Sequence, residues 1–221
     1  MHRATALAVP VAAVLFLFFP QHSAADDFDQ FEADEARLRA VNTGDLQFLS
    51  DDGQAALRTH SELRIGAASL TDGWVTLAQC QHDLDAVGVA EIVYNYTCLR
   101  GLEITEQSGI DTARVEGGSV QLRGVSAGAH VCVRAEVQIL RVDGEGGFRI
   151  DSGPYHRRYL DGYFPLHLVL RVVYPGQLLR WEGVEPSPRP GLKVVEEAGA
   201  TTVDTRFTGK LTLRLRFSDL R

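Results

Sequence analysis

One stretch of the chain, Ser152 to His167, gathers four aromatic residues, two adjacent arginines, two histidines and one aspartate around Pro154 and Pro165. Arginine presents a planar fork of donors that grips a carboxylate or phosphate through two hydrogen bonds. Tyrosine adds rigid contact area with a polar tip. Tyr155, His156, Arg157, Arg158, Tyr159 and Asp161 are therefore the candidate ligand- or partner-binding residues. An anionic glycan, a peptide terminus or a partner protein would suit that composition. The competing reading is a long connection between strands whose aromatics cover one end of the core. Its arginines would then pair with Asp161 or with the acidic residues between 26 and 35. His167 alternates with Val169 and Arg171 inside an apolar run, which suits a packed or surface residue better than a ligand.

Catalytic motifs are absent from the sequence. Ser69, Ser119 and Ser152 lack the G-x-S-x-G context of a strained nucleophile elbow. There is no P-loop, no G-x-G-x-x-G and no haem-attachment C-x-x-C-H. His156 and Asp161 could form an acid/base pair, which keeps an exported hydrolase of glycan or peptide as the alternative function. Cys80, His82, Asp83 and Asp85 lie close together, but their spacing matches no structural zinc pattern. Asp83 and Asp85 are expected to cap the turn after a strand. No metal, cofactor or catalytic residue is assigned.

Three cysteines remain beyond the N-terminal segment: Cys80, Cys98 and Cys132. Alternation along an extended chain sorts them by face. Cys80 shares a side with Thr76 and Ala78, and Cys132 with Arg134, Glu136 and Gln138, the less apolar side in both runs. Cys98 follows Ile92, Tyr94 and Tyr96 on an apolar side. The expected bridge is Cys80–Cys132, with Cys98 a buried free thiol. The competing pairs are Cys80–Cys98 and Cys98–Cys132. In the chain-entropy account a bridge closing a loop of about 50 residues contributes roughly 4 kcal/mol.

The N-terminus explains why a disulfide is expected at all. A basic head, Met1-His2-Arg3, precedes an apolar run of about 16 residues, Ala4 to Phe19, and a small-residue exit, Ser23-Ala24-Ala25. This reads as a signal peptide over 1–25, cleaved after Ala25, with an uncleaved anchor as the alternative. The destination is then the periplasm or the exterior, both oxidising. Only two of the 22 basic residues are lysine, Lys193 and Lys210, a bias that fits GC-rich bacterial coding. No later segment is apolar enough to span a membrane. Residues 26–60 carry nine acidic and three basic side chains, which argues against nucleic-acid binding. Residues 141–221 carry ten acidic and thirteen basic ones, which suits an anionic partner.

These side chains must be positioned by strands. Residues 26–60 form an acidic arm, helical over 26–40 through Phe28, Phe31, Ala36 and Leu38, followed by an apolar patch, Leu46 to Leu49, that docks it on the body. From about residue 61 the period becomes two, and short strands recur at intervals of about 10 residues between turn signals. Gly88, Ser108-Gly109, Gly117-Gly118 and Ser126-Ala127-Gly128 are read as turns. The fold expected is mainly β, an antiparallel sandwich. Asp143 to Gly147 either divides a module at 61–142 from one at 143–221 or forms a hairpin within one sandwich. The function expected is a non-catalytic binding or structural module of the cell envelope. Its partner would be another envelope protein or an anionic cell-wall component.

Overall fold

A computed structural model describes residues 44–50, 57–144, 146–159 and 162–221. All lie within one compact unit, Val41–Arg221. The expected leader over 1–25, the helix over 26–40 and the turn at Asp51-Asp52-Gly53 fall outside the described residues.

The chain is mainly β, with mixed and antiparallel sheets and one helical turn, Ser69–Asp72, among the described residues. Alternation of side chains accounts for the strands. In β11 (Leu166–Val173), Leu166, Leu168, Leu170 and Val172 are buried, while His167, Val169 and Arg171 turn outward. In β15 (Leu211–Asp219), Leu211, Leu213, Leu215 and Phe217 are buried between exposed Thr212, Arg214 and Arg216. Each such leucine contributes on the order of 1.5–3 kcal/mol by leaving water. A charge at Leu170 would remove that contribution and leave an unpaired ion inside.

The larger sheet has nine strands. Its central path runs through β14 (Ala200–Thr208), β11, β2 (Leu57–Arg64), β3 (Trp74–Leu84) and β6 (Ser119–Gln138). β2 and β11 are parallel, whereas the other pairs are antiparallel. β14 also carries β1 (Gln47–Phe48) and β13 (Leu192–Glu197). The apolar patch Leu46 to Leu49 thus attaches as a strand, with the Leu49 amide donating to the Arg206 carbonyl at 2.8 Å. The smaller sheet orders β12 (Leu179–Glu185), β15, β8 (Gly147–Tyr155) and β7 (Leu140–Val142). β7 and β8 pair as an antiparallel hairpin within it, with the Asp143 amide donating to the Gly147 carbonyl at 2.8 Å. Leu168, Leu170, Val203 and Phe207 of the larger sheet and Phe148, Ile150, Leu213 and Leu215 of the smaller join one buried cluster.

Two expected turns are not turns. β5 (Leu99–Glu116) and β6 run unbroken through Ser108-Gly109 and Ser126-Ala127-Gly128. Gly109 lies at φ +70° in a register shift between Ser108 and Ile110, where an added Cβ would sit 3.0 Å from that of Ala129. Its freedom at positive φ serves a bulge inside a long hairpin rather than a chain reversal. β6 consequently spans two partners on one side. Its first part pairs with β4 (Val87–Val93) and its second with β3.

The Cys80–Cys132 bond forms between directly opposed residues of β3 and β6, 52 positions apart. Cys98 is free, but half-buried rather than buried, because it lies in the connection before β5 and not on an inward strand face.

Candidate functional site

The segment around Arg157 is built as strand and ribbon rather than open loop. β8 continues to Tyr155, paired with Leu211 of β15. β9 (Arg157–Tyr159) and β10 (Gly162–Phe164) then form a two-stranded ribbon. Asp161 lies outside the described residues.

The two arginines have different roles. The Arg157 side chain is largely covered, and its Nη2 donates to Asp85 Oδ2 at 2.5 Å. Its Nη1 donates to the Pro165 carbonyl at 3.2 Å, and the Tyr159 hydroxyl donates to the same Asp85 oxygen at 2.7 Å. Burial, helped by the bond to Asp85, raises the Tyr159 pKa. Arg157, Tyr159 and Asp85 therefore clamp the ribbon to the turn after β3. The competing reading pairs the arginines with Asp161 or the acidic residues 26–35, which lie outside the described residues; among the described residues Arg157 pairs with Asp85. Asp83 instead pairs with Arg58 at 2.7 Å.

Arg158 is exposed, with its guanidinium carbon 5.8 Å from the Tyr163 ring centre. Lys210 Nζ approaches the same ring at 5.4 Å, and the His156 ring meets it edge-on at 5.8 Å. Burial, then the charges of Lys210 and Arg158, lowers the His156 pKa against a bond to the Pro154 backbone. Among the described residues, none of these three basic groups contacts a carboxylate.

A cleft of about 590 Å³ opens beside this rim, a volume suited to a small ligand or a short piece of chain. Residues 89–96 form one wall, residues 153–159 the other, and Thr59, Gln79 and Gln81 line the inner end. Opposed pairs across β2 and β3 explain that end: Leu63 faces Leu77 in the core, then Ser61 faces Gln79 and Thr59 faces Gln81. Buried polar groups must be hydrogen-bonded, and these are. Thr59 Oγ1 donates to Gln81 Oε1 at 2.6 Å, and Gln81 Nε2 to Gln79 Oε1 at 3.2 Å. Gln79 Nε2 then donates to Ser61 Oγ at 3.4 Å. The Tyr155 hydroxyl bonds Ser152 Oγ at 2.7 Å and also reaches Ser61. Burial raises the pKa of Tyr94, Tyr96 and Tyr155, so all three stay neutral. Sequence pattern did not reveal this floor, although Gln79 and Gln81 alternate with Val75 and Leu77 on one face.

On the outer face of the larger sheet, His60 and His82 rings lie 5.3 Å apart, and His82 and His130 rings 5.8 Å apart. His130 bonds Glu106 at 2.9 Å, and His167 bonds Asp204 at 2.8 Å. No described group of three histidine, cysteine or acidic side chains is arranged to hold a metal ion. Burial lowers the His60 pKa below 6.5, and the charges of His82, Arg58 and His167 lower it further against Asp204. A lowered histidine pKa favours the neutral form in the folded state. The resulting stability is present above the unfolded value and is lost as pH falls through the folded one. The thermal midpoint should therefore drop between about pH 7 and pH 5, and less so in His60→Gln. Equal drops by calorimetry would remove His60 as a cause.

No described helix is long and apolar enough to cross a membrane. No family model matches the sequence, and no curated protein matches it.

Proposed function

We propose that this chain is an exported, β-rich binding module of the cell envelope that holds an anionic partner in the cleft. It acts without catalysis, in the periplasm or outside the cell, after removal of residues 1–25. Its two sheets are read as the layers of a sandwich. The observation that carries this reading is the rim: Arg158, His156 and Lys210 all approach the Tyr163 ring, and Arg158 and His156 also line the cleft. Arg158 and Lys210, two cations beside one ring, repel each other and disfavour a proton on His156, and an incoming anion relieves that repulsion. The neutral floor of tyrosine, glutamine and hydroxyl groups suits recognition by hydrogen bonds. The Cys80–Cys132 bond is compatible with an oxidising compartment.

A photo-crosslinking residue at Val93, which is 63% exposed on the cleft wall, should capture a partner in native envelopes. Arg158→Glu should lower that capture about tenfold while leaving the thermal midpoint unchanged, since Arg158 is exposed and unclamped. Undiminished capture by Arg158→Glu would sink the reading. Arg157 is unsuitable for this test because its loss would also release the ribbon.

A further inference from the structure

A cleft lying over one face of a strand touches every second residue, because successive side chains point to opposite faces. This cleft is lined by every residue from 89 to 96 in succession, so it meets β4 from the side. β4 pairs with β6 from Val87↔Val125 to Val93↔Ser119. Among the described residues no backbone hydrogen bond leaves its other side. Across the cleft, β9 pairs with β10 alone. Bare strand edges are normally blunted by proline, a bulge or charged side chains, lysine above all. β4 has no proline, bulge or lysine and one charge, Glu91, and it exposes Val89 at 61% and Val93 at 63%. Glu91, between them, accepts a hydrogen bond from Gln121.

We propose that the cleft takes an extended acidic peptide from a partner exported protein, added as a strand along β4. The proposal rests on the reading of the cleft as the binding site and names the partner's chemistry. The bare edge offers alternating N–H and C=O groups, and another backbone satisfies that pattern where a sugar or phosphate does not. The basic rim selects acidic side chains. The part of β4 that lines the cleft, Val89 to Val93, gives about 17 Å of edge, enough for a short segment.

The test measures fluorescence anisotropy of the full chain with a labelled peptide of alternating valine and glutamate. Two comparison peptides carry alternate N-methylated amides or lysine in place of glutamate. The acidic peptide should bind, and each change should weaken it about tenfold. Amide exchange should slow across 89–93 on binding. Equal affinity for the N-methylated peptide, or no slowing in β4, overturns strand addition. Arg158-dependent crosslinking at Val93 would still stand in that case, so the two failures are distinguishable. A dimer in sedimentation that the acidic peptide does not dissociate would assign the edge to a second copy and also overturn the proposal.

Discussion

Replacing both cysteines of the bridge, as Cys80→Ser with Cys132→Ser, should lower the thermal midpoint by about 10 °C. The bond closes a loop of 52 residues, whose freedom in the unfolded chain is worth about 4 kcal/mol. For a domain of this size each kcal/mol moves the midpoint by about 2–4 °C. The location adds to the effect. Cys80 lies between Gln79 and Gln81 of the cleft floor, and the β3–β6 ladder shifts register just beyond, between Gln81 and Leu84. Without the bond that irregular end should loosen first, and amide exchange at 79–84 should quicken more than at 74–77. Cys98→Ser should change the midpoint little, because Cys98 is half-buried and unbonded. Calorimetry with and without reductant separates these outcomes. An unchanged midpoint in the double variant would show that β-sheet packing alone fixes the β3–β6 register.

Arg157→Ala should cost about 2 kcal/mol and free the ribbon. Breaking a fully buried ion pair costs about 3–5 kcal/mol by stranding the other charge, and partial exposure of Asp85 reduces that figure. Two strands of three residues each do not hold together alone. The contacts of Arg157 and Tyr159 with Asp85 therefore decide whether the rim is ordered. Trypsin should cut after Arg158 faster in Arg157→Ala than in the parent chain. Asp85→Asn keeps an acceptor oxygen but loses its charge, so its cleavage rate should fall between the two. Cleavage at the parental rate in Arg157→Ala would show that the β9–β10 pairing is self-sufficient.

Much of this architecture can be read from alternation. In Leu166 to Val173 and Leu211 to Phe217, residue types alone show which side faces the core. The same alternation places Cys80 and Cys132 on matching faces, and the bond joins them. The long hairpin is harder to read because glycine serves turns and bulges alike; Gly109 and Gly128 give the signal of the first and lie in continuous strands. For the candidate site, aromatic and arginine density marks a stretch of which residues 153–159 line the cleft, but density does not reveal partners. Arg157 and Arg158 are neighbours in sequence, yet one is held by Asp85 and the other faces water. The clamp depends on Asp85, 72 positions away, a distance over which local pattern is silent. The cleft floor is hidden for another reason: polar residues on an inward face look like interruptions until their mutual hydrogen bonds are seen.

β2 lies alongside β11 in parallel, from Leu57↔Leu166 to Arg64↔Val173. The hairpin of β2 and β3 can close early in synthesis, but the middle of the sheet must wait until the C-terminal third has left the ribosome. Until then β2 is an unfinished margin carrying Leu63 and, just past its end, Ile65. Pairings between segments so remote in the chain form slowly, and intermediates with such margins associate with one another. Nascent fragments ending before residue 166 should therefore require a holding chaperone, whereas emergence of β11 and β14 lets β11 slot between β2 and β14 and seal the gap.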